Sequence, residues 1–188
     1  MRLTLTSLSS QYIHMPLAPW CLRTAVEAVL PGVQVTVCDL NVNQQPEELL
    51  RRIVETRPDA VGFSVYIWNR EATVRLIRRL KALAPSLLVV TGGPEASFDA
   101  ADFLTASGCD LLLRGAGEVS LPLLLHRIME RKPLDGVPGL CRMMSGETQL
   151  SDPADPPPPT DAVYDDVWLR ALNGRMASCE TSRGCRFS

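Results

Sequence analysis

The chain has 188 residues, of which 46% are hydrophobic, and a formal net charge of −2 at pH 7. This length suits one domain, or one domain with an appendage, and the composition supplies an aliphatic core without disulfides or metals. The charge balance gives no reason to expect nucleic acid or a membrane as a partner, and no apolar run approaches the roughly 20 residues that span a bilayer. Six scattered cysteines without a CxxC pair predict free thiols and a cytoplasmic protein.

Predicted strands and helices alternate five times over about the first 135 residues. The segment 60–65 is apolar throughout, as expected for a central parallel strand that is buried on both faces. The alternation predicts an α/β fold of the flavodoxin-like (Rossmann-like) type, a doubly wound parallel sheet of five strands with helices on both faces. The predicted strands lie at 3–8, 33–40, 60–65, 87–91 and 110–114, and the predicted helices at about 19–30, 46–56, 69–84, 99–107 and 118–131.

The pattern changes after residue 135. Residues 136–151 predict a small hairpin appended to the α/β domain 1–135. Residues 152–175 predict a linker and a domain boundary, since five prolines fall within its first nine residues and a polar connector follows. Residues 176–188 are expected to begin a second domain, with a strand over 176–181 that buries Cys179.

The candidate ligand site lies where the strands end. Right-handed crossovers bring the loops after the parallel strands to one edge of the sheet, and open α/β sheets bind ligands at that edge. Gly92 and Gly93 follow the fourth strand there, and two residues without side chains let a bulky ligand approach the backbone closely. Paired glycines also occur in plain tight turns, so the neighbouring loops decide between the two interpretations.

Several nucleotide sites are excluded by missing residues. The chain has no GxxxxGK[ST] phosphate loop and no GxGxxG after the first strand. Ser64 ends the third strand, where a phospho-accepting receiver domain needs a carboxylate. A flavodoxin-type flavin site stays open, because Ser7, Ser9 and Ser10 offer hydroxyls to a phosphate, although no glycine lies among them.

Ser64-Val65-Tyr66 and Gly92-Gly93, at the ends of the third and fourth strands, resemble the cobalamin-binding domain, which carries Ser-x-Leu and Gly-Gly at these positions. The loops after the fourth and fifth strands are similar to those of cobalamin domains fused to radical S-adenosylmethionine enzymes, and the resemblance covers about residues 1–135. It implies that the nucleotide tail of cobalamin lies between the two turns, with a hydrogen bond from Ser64. The implied cofactor-binding residues are Ser9, Ser10, Tyr12, His14, Ser64, Val65, Tyr66, Gly92, Gly93, Pro94, Glu95, Gly115, Gly117 and Glu118.

The loop around His14 departs from the pattern of the resemblance. Methyl-transferring cobalamin domains carry Asp-x-His-x-x-Gly after the first strand, and the histidine is the lower cobalt ligand. The corresponding residues 12–17 have neither the Asp nor the Gly. A metal-bound imidazole normally has its second nitrogen held by an acceptor such as that carboxylate. The sequence therefore favours His14 as a loop histidine near the corrin over His14 as a cobalt ligand.

Residues 180–188 resemble the start of the CxxxCxxC loop of radical S-adenosylmethionine enzymes, in which three thiolates hold a 4Fe-4S cluster that binds S-adenosylmethionine. Cys185 supplies the first cysteine and is the implied iron ligand. A single thiolate cannot hold such a cluster. We therefore expect the chain to be the amino-terminal part of a longer enzyme, with the cluster, S-adenosylmethionine and the radical domain as partner present only in the full-length protein.

The resemblance implies methyl transfer, or a related radical reaction, by the full-length enzyme, while the 188-residue chain itself is expected to be inactive. Two alternatives stay open at this point. One is a flavin-binding or nucleotide-binding domain of the same fold. The other is a structural or docking lobe that has lost cobalamin, which the departure around His14 would accommodate.

Overall fold

The computed structural model describes residues 1–183, which form a seven-stranded sheet flanked by helices. Its strands are β1 (Arg2–Ser9), β2 (Gln34–Asn41), β3 (Ala60–Ser64), β4 (Leu88–Gly92), β5 (Leu111–Leu113), β6 (Leu140–Met144) and β7 (Glu147–Leu150). Their order is β2-β1-β3-β4-β5-β6-β7, with β1 to β5 parallel and the last two antiparallel. The order 2-1-3-4-5 is that of flavodoxin-like sheets, which switch direction between β1 and β3. The predicted α/β class is confirmed.

The prediction of five strands is wrong, because the appended hairpin joins the sheet. Leu113 of β5 pairs with Leu140 of β6 in antiparallel register, and Leu140 and Cys141 are buried. An uncovered β5 would present unpaired backbone groups beside an apolar surface, and β6 satisfies them. The largely exposed β7 then forms the outer edge of the sheet.

The helices are α1 (Ala18–Val29), α2 (Pro46–Glu55), α3 (Arg70–Leu83), α4 (Pro94–Phe98), α5 (Ala100–Ser107), α6 (Gly117–Met129) and α7 (Asp166–Leu172). Helices α1 and α6 pack on one face of the sheet, in an apolar cluster that includes Val26 and Leu124. Helices α2, α3 and α5 pack on the other face, around Ile53, Ile77 and Phe103. Both faces of the sheet are therefore covered, which explains why β3 is buried along its whole length.

Residues 161–183, here named the C-terminal strap, contact α1, and the predicted polar connector within them, 161–174, contains the helix α7. Asp165 caps the N-terminus of helix α7, and its side chain accepts a hydrogen bond from the Trp168 backbone N at 2.8 Å. The Trp168 side chain is 3% exposed and packs in a third apolar cluster with Trp20 and Met15. The helix is short and has a single fully buried side chain, so the apolar periodicity that identifies longer helices is missing.

The predicted strand over 176–181 is wrong. Met176 forms an isolated bridge with His14, and the residues after it, as far as residue 183, adopt no regular structure. Cys179 is exposed rather than buried, because no neighbouring strand covers this stretch in the described part of the chain. Cys185 lies outside the described residues. The division of the chain at the proline-rich segment stays a prediction.

No helix within residues 1–183 combines the length and the apolar character that crossing a membrane requires.

Candidate functional site

A cavity of about 140 Å³ lies at the carboxyl ends of the parallel strands, on the side covered by α1 and α6. We name it the edge cavity. Its sheet side is formed largely by Leu5, Val90 and Leu113, and its helix side by Leu22 of α1 and Leu121 of α6. It therefore lies at the switch-point edge of the sheet, with a mostly apolar lining and an opening at the strand ends.

The edge cavity exists because side chains are missing where the strands end. Gly62 of β3 pairs with Val90 of β4, and Ser64 pairs with Gly92 two residues further on. Since side chains alternate between the faces of a strand, Gly62, Ser64 and Gly92 share the face that α1 and α6 cover. Two of these three positions carry no side chain, which leaves a gap between the sheet and the helices.

Ser64 presents a polar group at the edge of this gap. Its carbonyl oxygen accepts hydrogen bonds from Ser7 Oγ at 3.1 Å and from Asn69 Nδ2 at 3.3 Å. The fully buried Asn69 also donates to the Leu8 carbonyl at 3.0 Å and accepts from the Tyr66 backbone N at 2.8 Å. Within residues 1–183 the Ser64 hydroxyl makes no hydrogen bond to the protein, so it is available to a ligand.

Gly93 lies where the turn after β4 contacts the turn after β3. Its φ is +99°, and a Cβ atom at this position would lie 2.5 Å from the Val65 carbonyl oxygen. The Val65 backbone N donates to the Gly92 carbonyl at 2.8 Å, and the Glu95 backbone N donates back to Val65 at 3.3 Å. A side chain at Gly93 would therefore force the two turns apart. Glu95 itself points away from the edge cavity and forms an ion pair with Arg70 at 3.4 Å.

The opening of the edge cavity is bordered by an aromatic pair and an acidic residue. The Tyr66 ring stacks on Trp68 with the centroids 4.6 Å apart, and Trp68 Nε1 donates to the Leu8 carbonyl at 3.2 Å. Burial raises the pKa of the Tyr66 hydroxyl, with smaller contributions from Cys21 and Glu118. Glu118, in the first turn of α6, forms an ion pair with Arg183 of the strap at 2.8 Å.

The structure brings some of the implied cofactor-binding residues together at the edge cavity and places the others elsewhere. Val65 and Pro94 support the turns without lining the edge cavity, whereas Ser9 and Tyr12 line a separate, more polar pocket beside β2. Ser10 and His14 are exposed and line neither pocket. The proposed residues that the fold brings together around the edge cavity are Ser64, Tyr66, Gly92, Gly93, Gly115, Gly117 and Glu118.

Gly62 is the cavity residue that sequence analysis misses. It lies in the middle of β3, and the apolar run around it predicts a buried strand and no ligand contact. An isolated glycine inside a strand often marks a place where a ligand or another backbone approaches closely, so a signal was present. The apolar helix residues Leu22 and Leu121 carry no comparable signal, because a core position and a cavity wall look alike in sequence.

The matching family model is the B12 binding domain, over residues 4–125. The chain is 31% identical over 188 aligned positions to the hopanoid C-3 methylase of Methylococcus capsulatus, covering 92% of this chain and 35% of that protein. It is 30% identical over 146 positions to the 2-(S-pantetheinyl)-carbapenam-3-carboxylate methyltransferase of Streptantibioticus cattleyicolor, covering 71% of this chain and 21% of that protein.

Among solved structures, the radical S-adenosylmethionine methyltransferase TsrM from Kitasatospora setae superposes with a TM-score of 0.68 at 25% identity, over 82% of this chain and 30% of TsrM. The chain thus spans about a third or less of each of these proteins. The resemblance to the cobalamin-binding domain is confirmed, since the family model matches well over half of the chain. The chain belongs to the B12 binding domain family.

Proposed function

We propose that the chain binds cobalamin base-off, with the nucleotide tail in the edge cavity, as the cobalamin-binding part of a radical S-adenosylmethionine enzyme. The observation that carries this proposal is the registered pairing of Ser64 with Gly92 at the mouth of a gap whose floor is Gly62. The chain belongs to a family of cobalamin binders. Its cavity lies at the switch-point edge of the sheet, and glycines leave the centre of the cavity open. These observations together support cobalamin as the ligand.

The lining of the edge cavity suits a flat aromatic base, and its enclosed volume has room for one six-membered ring. An apolar cavity of about 150 Å³ accepts benzene in an engineered protein, and the edge cavity encloses about 140 Å³ and opens outward. Leu5, Leu22 and Leu113 pack against the faces of such a ring. The free Ser64 hydroxyl donates a hydrogen bond to the ring nitrogen that is exposed when the base leaves the cobalt.

The apolar side chains around the opening provide a surface for the rest of the cofactor. Ile67 and Trp68, in the loop between β3 and α3 that also carries Tyr66, are 79% and 52% exposed and present apolar surface to solvent. Bound cobalamin supplies a cobalt centre that can carry a methyl group. In this proposal the protein contributes binding of the tail, exclusion of water from the cavity and a fixed orientation of the cofactor against this edge.

We propose methyl transfer for the whole enzyme, because two relatives and one solved neighbour are named methyltransferases or a methylase. Such an enzyme needs the iron–sulfur cluster and S-adenosylmethionine of a further domain. Among the described residues no group of three histidines, cysteines or acids is placed to hold a metal. Cys185, outside those residues, is the one iron ligand that we propose from this chain. A cytoplasmic location is supported by the free thiols of the five described cysteines.

Retention of the cofactor tests the proposed function. The 188-residue chain is incubated with hydroxocobalamin, desalted, and its visible spectrum recorded. We expect about one corrin per chain. A well-folded protein that retains no corrin would contradict the proposal, and parallel incubation with flavin mononucleotide separates the alternatives. Retention of flavin instead would indicate a flavin site, and retention of neither would indicate a docking lobe.

Replacing His14 by Ala should leave cobalamin binding unchanged. The side chain is exposed, and the described contacts of the residue belong to its backbone: the bridge to Met176 and a hydrogen bond from its N to the Gln11 carbonyl at 3.2 Å. Substitution of a surface residue of this kind changes free energies by under about 0.5 kcal/mol, so Kd should stay within about twofold. The bound spectrum should match that of wild type and of His126→Ala, which removes the other histidine. A shifted visible band in His14→Ala alone would show that His14 ligates cobalt.

A further inference from the structure

An ion-pair cluster, here named the clasp, joins the opening of the edge cavity to the C-terminal strap. Arg183 Nη1 lies 2.8 Å from Glu118 Oε1, and Arg183 Nη2 lies 2.6 Å from Glu180 Oε2. The side chain of Arg183 is only 11% exposed. The interaction of a sheltered guanidinium with two carboxylates is stronger than an exposed ion pair, and its geometry is more specific.

Contacts along the strap bring Arg183 to this position. Near its beginning, Asp165 pairs with Arg23 of α1 at 2.9 Å. Further along, the Met176 backbone N donates to the Ile13 carbonyl at 2.9 Å, and the Glu180 backbone N donates to the Tyr164 hydroxyl at 2.8 Å. The first two of these contacts attach the strap to the rest of the domain, and the third holds the end of the strap against its own beginning.

Glu118 belongs to both structures, because it lines the edge cavity and also holds Arg183, which does not line the cavity. Arg183 in turn precedes Cys185 by two residues. We propose that Arg183 is a positioning residue whose pairing with Glu118 couples occupancy of the edge cavity to the placement of the segment that leads to Cys185. This inference rests on the proposed function of the cavity.

Coupling between two sites is reciprocal, so the proposed coupling can be measured as a change in the affinity for cobalamin. If tail binding stabilises the closed clasp, then opening the clasp must weaken tail binding by the same factor. A residue outside the cavity should therefore change the affinity for cobalamin. A strap that is merely attached to the domain would leave that affinity unchanged.

Cys21 of α1 reports on the clasp in the absence of cobalamin. The thiol is buried, and Arg183 Nη2 lies 3.7 Å from its Sγ. Burial raises the pKa of Cys21 to about 11, Glu118 adds to the rise and Arg183 opposes it. Alkylation requires the thiolate. Removal of the Glu118 charge would thus speed alkylation even with the strap in place, whereas removal of the Arg183 charge would slow it unless the strap opens.

Arg183→Gln is therefore the decisive variant. We expect alkylation of Cys21, followed site by site by mass spectrometry, to be about tenfold faster than in wild type, because a charge-assisted contact is lost. Cys109, which is buried elsewhere in the core, should react at its wild-type rate. Arg170→Gln, an exposed arginine of the strap outside the clasp, is the matched control. Slower alkylation of Cys21 in Arg183→Gln would overturn the clasp.

The affinity for hydroxocobalamin tests the coupling itself. We expect Kd to rise about tenfold in Arg183→Gln and in Glu118→Gln, and to stay at the wild-type value in Arg170→Gln. Faster alkylation of Cys21 with an unchanged Kd in Arg183→Gln would overturn the coupling while leaving the clasp intact. Failure of wild type to bind hydroxocobalamin would instead overturn the proposed function and the coupling with it. The alkylation rate of Cys21 tests the clasp independently, because it is measured without cobalamin.

Discussion

Gly62→Val should raise the Kd for hydroxocobalamin about a hundredfold, because the new side chain occupies the space that we assign to the tail. Gly62 lies on the sheet side of the edge cavity. Burial of an aromatic ring of this size is worth about 3 kcal/mol, which corresponds to about two decades in Kd. Equilibrium titration followed by absorbance measures the change.

The variant should fold, which makes the loss of binding interpretable. An added Cβ at Gly62 would meet a single close neighbour, Leu5 Cδ2 at 2.7 Å, and that methyl group can rotate away. Valine also suits a strand better than glycine does, so we expect the free energy of unfolding to change by less than about 1 kcal/mol.

Gly32→Val is the matched control, since it makes the same substitution where the added Cβ would have no neighbour within 4 Å. It should bind hydroxocobalamin as wild type does. Undiminished binding by a folded Gly62→Val protein would show that the tail lies elsewhere. Gly93→Val cannot replace this test, because the positive φ of Gly93 and its contact with Val65 would disturb the loop itself.

The sequence predicts the part of the site that depends on local patterns. Ser64 and Gly92 each end an apolar strand, and parallel strands bring their ends together, so their proximity follows from the α/β alternation. Their direct pairing depends on register, which neighbouring strands determine through packing that spans the whole sheet. The gap at Gly62 depends on the same register, because Gly62 lies between Leu5 of β1 and Val90 of β4.

The features that the sequence does not predict depend on contacts between residues far apart in the chain. Glu118 and Arg183 meet because the strap packs on α1 through Val163 and Trp168 and returns to Cys21 of the same helix at Arg183. Nothing local to Arg183 predicts an acidic partner from α6. The exposure of Cys179 has the same origin, since the chain around it reads as a strand and the fold offers no neighbouring strand within the described residues.

Trp168→Ala should loosen the C-terminal strap and leave the sheet intact. Truncation of a buried tryptophan costs about 3–5 kcal/mol. We expect the lower end of that range, because Trp168 Nε1 is buried without a hydrogen-bond partner in residues 1–183, and the variant removes this uncompensated group. The cluster around Trp168 is separate from the two clusters that cover the sheet, so its loss should act locally.

Limited proteolysis with trypsin measures this effect, since Arg170 and Arg175 both lie in the strap. Cleavage there should be faster in Trp168→Ala, while the thermal transition of the remaining domain stays near that of wild type. Leu169→Ala, which truncates a side chain that is 52% exposed on the same helix, should behave as wild type. A single transition at lower temperature in Trp168→Ala, without early cleavage of the strap, would show that the strap folds as part of the α/β domain. The predicted boundary at the proline-rich segment would then be wrong, because the residues on both sides of it would unfold together.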